Sequence, residues 1–158
     1  MQILMSVCGL PLMTQLPRLS ALIAKGETEN AWVLFIKRHL IGLAAMIISV
    51  LILWKFGGVL LNMVGSKSQL LDSAPLLFMG FIYILEFNHG YCAVFIMCRN
   101  EVPFVWAASL SGIAICLGGA FFSETHGVWG LLGTVFVVQL AWNNWWCPLL
   151  ALKMRYHK

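Results

Sequence analysis

Charge is what this sequence has least of: Asp, Glu, Lys and Arg make up 10% of its 158 residues, against roughly a quarter in soluble globular chains. With 61% hydrophobic residues and a mean hydropathy of +0.88, that scarcity excludes an ordinary soluble domain. Proline, at 5 residues, is sparse, and the 14 glycines follow no collagen period, so fibrous and low-complexity chains are excluded as well. Five cysteines (Cys8, Cys92, Cys98, Cys116 and Cys147) are odd in number and lie mostly within apolar stretches. They read as space-fillers between helices rather than a disulfide framework. The sequence has no GxGxxG, P-loop, HExxH, paired CxxC or GxSxG, and His89 with Cys92 and Cys98 lacks a tetrahedral zinc pattern. No enzyme chemistry, metal or cofactor is expected.

What is present is apolar length. The runs 102–123 and 125–152 contain no Asp, Glu, Lys or Arg except the Glu124 that separates them, and each exceeds the 18 or so residues that mark a membrane-spanning helix. Four clear spans are predicted at 40–64, 75–98, 103–122 and 127–152. Pro75 is placed in the first turn of its helix, and turns are expected at 99–101 and 123–126. Residues 1–17 contain Pro11 and Pro17 and no basic n-region, so they do not read as a signal peptide. As a helix they would reach about 25 Å at 1.5 Å per residue, which reads as the tail of a fifth, partial span. Between them and residue 40 lies a polar connector, 18–39, in which Gly26 followed by Glu27-Thr28-Glu29-Asn30 marks one short helix ending and another starting. The expected fold is an all-α polytopic membrane bundle in one domain.

The net charge of +4 does not read as nucleic-acid binding, because the basic residues edge the apolar segments. Arg18, Lys25, Lys37, Arg38, Arg99, Lys153, Arg155 and Lys158 fall on one side and Lys67 on the other. By the positive-inside rule the connector, the 99–102 turn and the 153–158 tail face the cytoplasm.

Ionisable or amide groups at membrane depth cost free energy, so each is a default functional candidate. Glu86 lies near the middle of 75–98, His89 follows three residues later, and Lys55 lies past the middle of 40–64. Running the two helices antiparallel puts Lys55 about a turn outward from Glu86. Two readings follow: a polar site for a charged or sugar-bearing substrate or a coupling proton, or a structural pair with Lys55 snorkelling to the interface. Gln139, Asn143 and Asn144 sit among Trp142, Trp145 and Trp146. That cluster reads either as an interhelical amide bridge under an interfacial tryptophan belt or as a carbohydrate-facing surface. Gly127, Gly130 and Gly133, Ser109 and Gly112, and Gly118 and Gly119 are expected to pack the last two helices together.

The stretch Leu16-Pro17-Arg18-Leu19-Ser20-Ala21-Leu22-Ile23-Ala24-Lys25-Gly26-Glu27 resembles the P-x-x-S-x-L-x-A-x-G-[DE] connector of the polysaccharide transport (Wzx-like, O-antigen flippase) branch of the multidrug/oligosaccharidyl-lipid/polysaccharide exporter superfamily. The match covers about 15 residues, and the number of spans after it is similar too. The resemblance implies the carboxyl-terminal part of a two-lobed flippase in a bacterial cytoplasmic (inner) membrane. It would move an undecaprenyl-pyrophosphate-linked oligosaccharide across the bilayer, completed by a missing amino-terminal lobe. Pro17 would end a helix and Gly26 would cap the surface helix. On the chemistry and depth of the residues alone, Lys55, Glu86, His89, Asn143 and Asn144 are the substrate-binding or coupling candidates, the first three as lining of a transport cavity. The alternatives are a non-transporting structural or assembly subunit, or a small-molecule exporter of the same superfamily.

Overall fold

A computed structural model describes residues 1–65 and 70–156, the side chains of 154–156 excepted. Lys67 and Lys158, and the side chain of Arg155, counted above for orientation, lie outside the described residues. The chain is helical with no strand among the described residues. The elements are α1 (Gln2–Met13), α2 (Leu16–Ala24), α3 (Thr28–Met63), α4 (Ser73–Met97), α5 (Val105–His126), α6 (Val128–Val138), a π-turn (Gln139–Asn143) and α7 (Asn144–Tyr156). α3, α4, α5 and the run Val128–Lys153 are each long and apolar enough to cross a membrane, and the α1–α2 pair, bent by 43°, makes up to five spans. The chain is a multi-pass membrane bundle.

The 18–39 connector is shorter than the sequence reading has it. α3 starts at Thr28, so Lys37, Arg38 and His39 belong to a 36-residue helix and only 25–27 turn the chain. The physical reason is a buried stripe at Ala31, Phe35, His39, Gly42, Met46 and Val50, spaced three or four apart along one helix face. Lys and Arg are themselves good helix formers. Pro17 likewise begins α2 instead of ending its predecessor, standing in the first turn where its missing N–H costs nothing. Gly26, with φ of 77°, closes the hairpin that lays α1–α2 back along α3. There Cys8 Sγ comes within 3.7 Å of Ser49 Oγ. Glycine permits the approach: a Cβ on Gly42 would meet the Cys8 carbonyl at 2.7 Å.

α3 and α4 run antiparallel, with Phe35 stacked on Phe95, His39 bonded to Asn88 and Trp54 Nε1 donating to Ser73 Oγ at 2.7 Å. An aromatic column fills their seam. His39 stacks between Phe35 and Phe87 at centroid distances of 5.4 and 5.9 Å, and Phe87 stacks on Tyr91 at 4.2 Å. The 123–126 turn shrinks to Gly127 alone, at φ of 56°, because α5 continues to His126. α5 and α6 then pack antiparallel through Gly118 against Thr134, Gly119 against Leu131 and Gly130 against Phe122, whereas Gly112 and Gly133 face open space. α4 runs parallel to the last span, with Phe81 beside Phe136 and Asn88 beside Asn144. These directions gather Arg18, Lys25, Arg99 and Lys153 at one end of the bundle, and Lys55, Asp72 and Glu124 at the other.

Candidate functional site

A chain of polar side chains links four spans. His39 Nε2 lies 3.1 Å from Asn88 Oδ1, and Asn88 Nδ2 donates to Asn144 Oδ1 at 3.2 Å. Because the Asn88 oxygen must accept, His39 Nε2–H is the donor. Asn144 Nδ2 donates to the Gln139 carbonyl at 3.2 Å, Asn143 Nδ2 donates to Gln139 Oε1 at 3.3 Å, and Ser111 Oγ donates to Asn143 Oδ1 at 3.2 Å. His39 and Gln139 are both 5% exposed. Asn88 is nine positions short of Met97, the end of α4, about 14 Å along the axis and so near the midplane of a ~30 Å hydrocarbon layer.

The local backbone explains why the last span can supply three of these groups. The π-turn at Gln139–Asn143 inserts one residue into the α-helical ladder, so the Asn144 N–H reaches back to the Gln139 carbonyl, five residues away. The Asn144 side chain donates to the same oxygen. Four residues on, Pro148 inside α7 has no N–H to return to the Asn144 carbonyl. The helix is thus loosened on both sides of Asn144, and π-bulges of this kind are frequent at functional sites.

Beside this chain a groove of about 360 Å³ opens between α4, α5 and α7, lined among others by His89, Ser111, Asn143 and Trp146. His89 Nδ1–H points at the Leu85 carbonyl, 3.4 Å away, which leaves Nε2 as its unspent hydrogen-bonding atom. The structure therefore brings His89 and Asn143 to one groove, with Asn144 in the polar chain behind them. It offers hydroxyl and amide recognition: donors and acceptors beside an indole face.

Lys55 and Glu86 do not join this arrangement. Trp54 is bonded to Ser73, so Lys55 stands at the start of α4, and from residue 73 to residue 86 is 13 positions, about 20 Å. Lys55 is exposed eight residues before the end of α3, its amine 5.9 Å from the neighbouring Phe56 ring. Glu86 is half-buried on α4 and has no hydrogen bond or ion pair among the described residues. The misplacement arose from aligning the span ends: α3 continues to Met63 while the chain folds back, so Leu70 lies against Gly57 and α4 starts well inside the end of α3. Sequence reasoning also passed over His39 and Asn88, the two residues that carry the chain across α3 and α4. The signal for His39 was its place in the buried stripe from Ala31 to Val50. For Asn88 it was an amide within an apolar run, flanked by Glu86 and His89.

Among the described residues no three His, Cys, Asp or Glu side chains converge as metal ligands. Fold and site together define a polytopic α-helical membrane protein with a polar layer near mid-depth. No protein-family model, curated protein or solved structure matches this chain.

Proposed function

We propose that the chain is the carboxyl-terminal lobe of a flippase for a lipid-linked oligosaccharide, acting with an amino-terminal lobe that supplies the other wall of the transport path. The observation that carries the reading is the polar layer, in which amides and a buried histidine meet at a helix loosened by a π-turn and a proline. Interrupted helices that present polar groups near mid-bilayer are the usual means by which transporters recognise cargo, and sugars and pyrophosphate need polar partners that lipid cannot supply. The Pro17–Glu27 connector resembling that of polysaccharide exporters adds support, as does its place at the basic end of the bundle. That end faces the cytoplasm by the positive-inside rule, in a bacterial inner membrane. Within this reading His89 and Asn143 meet the cargo, Gln139 positions Asn143, Asn144 anchors the polar layer behind them, Glu86 carries a coupling proton and Lys55 takes no part.

One observation favours a second reading, a non-transporting structural subunit: the amides of Asn88, Asn143 and Asn144 all bond to one another or to Gln139. A layer spent wholly on internal bonds would serve to pin helices.

A flippase-deficient strain separates the two. Surface polysaccharide should return when the chain is joined to a matching amino-terminal lobe, and fall strongly in the same fusion carrying His89→Gln or Asn143→Ala while protein level holds. Restoration by the unfused chain would overturn the two-lobe reading. Fusions indifferent to both substitutions would remove the groove from transport and leave the structural reading.

A further inference from the structure

Adjoining the His89 groove, with which it shares Ser111 and Trp146, a second groove of about 420 Å³ follows the seam between α5 and the last span. Trp106, Trp142 and Trp146 wall it, and the short side chains of Ala107, Ala114 and Ala141 leave it open. Trp142 stacks on Trp146 at 6.0 Å, and Trp106 is 80% exposed. The groove runs from Pro103, at the basic end, to Ala114. Those 11 positions (103 to 114) extend about 16 Å, the depth of one leaflet of a ~30 Å hydrocarbon layer. Its lining is mostly apolar, and the hydroxyl of Ser111 is occupied by Asn143, so it fits a hydrocarbon chain.

A charge marks its mouth. Lys153 is exposed on α7, seven residues after Trp146, and residues seven apart lie on one helix face. Lys153 stands at the basic end of the bundle, the end at which the groove begins beside Pro103. The nearest acidic residue of the adjoining turn, Glu101, is already engaged by Arg99 at 3.8 Å, so it does not cancel Lys153.

From this pairing of a one-leaflet apolar slot with a cation at its mouth, we propose that the α5–α7 seam is a binding site for an anionic phospholipid. One acyl chain lies along Trp106 and Trp142 and the phosphate sits at Lys153. The site takes lipid from the leaflet on the basic side and shares Ser111 and Trp146 with the His89 groove.

Tryptophan quenching of the full chain tests this in nanodiscs of phosphatidylcholine containing a minor share of phosphatidylglycerol, with bromine on the acyl chains of one lipid or the other. Brominated phosphatidylglycerol should be enriched at the protein roughly fivefold over its bulk share, the preference one lysine near a membrane surface supplies. The enrichment should vanish in Lys153→Gln, persist in Lys153→Arg and in Lys55→Gln at the opposite end, and fall in Ala141→Phe, which fills the slot. Equal quenching by the two lipids, or enrichment indifferent to Lys153→Gln, overturns the proposal. So does an Ala141→Phe variant that shifts the oligomeric state and leaves quenching unchanged, since the slot would then be a contact between copies. Circular dichroism confirms that each variant is folded before it is compared.

Discussion

Asn88 holds two partners at once: its side-chain oxygen accepts from His39 on α3 and its nitrogen donates to Asn144 on the last span, at 3.1 and 3.2 Å. A single amide thereby ties three membrane helices. In lipid, hydrophobic burial does little to hold helix to helix, so association rests on close packing and such bonds. Asn88→Leu should therefore unpair two buried groups and cost about 1–3 kcal/mol, read as a loss of folded fraction in a denaturation series in detergent. The double variant Asn88→Leu, Asn144→Leu should lose less than the sum of the singles. A neutral Asn88→Leu would show that the amide bridges nothing that matters.

The helical bundle and the count of spans were legible in the sequence because apolar length is a strong signal and four runs carry it. The start of α3 at Thr28 and its overhang past Ser73 were not, and the site inherited the error. Lys37 and Arg38 read as a surface connector by charge alone, although the stripe through Ala31, Phe35 and His39 already ran across the boundary at residue 40. Depth along α4 could not be read from span ends, because the overhang of α3 past Ser73 depends on how the chain folds back at Leu70. Asn143 and Asn144 were found because they stand out in an apolar helix. Their partners were missed because sequence order does not show which face meets which.

With 13 positions between the depth of Lys55 and Glu86, the two charges are independent. Lys55→Gln should change stability by no more than about 0.5 kcal/mol, as exposed substitutions usually do, and the double variant with Glu86→Gln should be additive within about 0.3–0.5 kcal/mol. Thermal unfolding of the four proteins in one detergent gives the comparison. A coupling above that margin would restore the ion pair that charge and span ends alone suggest.

Lys37 is exposed and lies inside α3, nine residues after its start at Thr28. Lys37→Pro should cost about 3 kcal/mol or more, since proline removes a helix hydrogen bond and clashes with the preceding turn. In a loop the same change would be nearly silent. Folded yield and thermal midpoint of Lys37→Pro against Lys37→Ala separate the two cases.

Gly130 and Gly133 are one turn apart and should behave oppositely. A methyl on Gly130 would collide with the Phe122 backbone, whereas one on Gly133 meets nothing within 4 Å. Gly130→Ala should destabilise the α5–α6 hairpin by more than about 1 kcal/mol through forced separation. Gly133→Ala should be neutral or add about 0.5–1 kcal/mol from better helix propensity. Thermal midpoints of the two variants, measured side by side, decide it.

Cross-linking tests the register on which the polar layer depends most directly. In a version of the chain with its five native cysteines replaced by alanine or serine, pairs of cysteines would be introduced at 88 with 144 and at 55 with 86, and treated in the membrane with a short bifunctional thiol reagent. The account predicts rapid cross-linking of the 88–144 pair, seen as a single internal bridge on mass analysis, and none of the 55–86 pair. Efficient bridging of 55 to 86 with none between 88 and 144 would contradict it, and the polar layer would have to be redrawn.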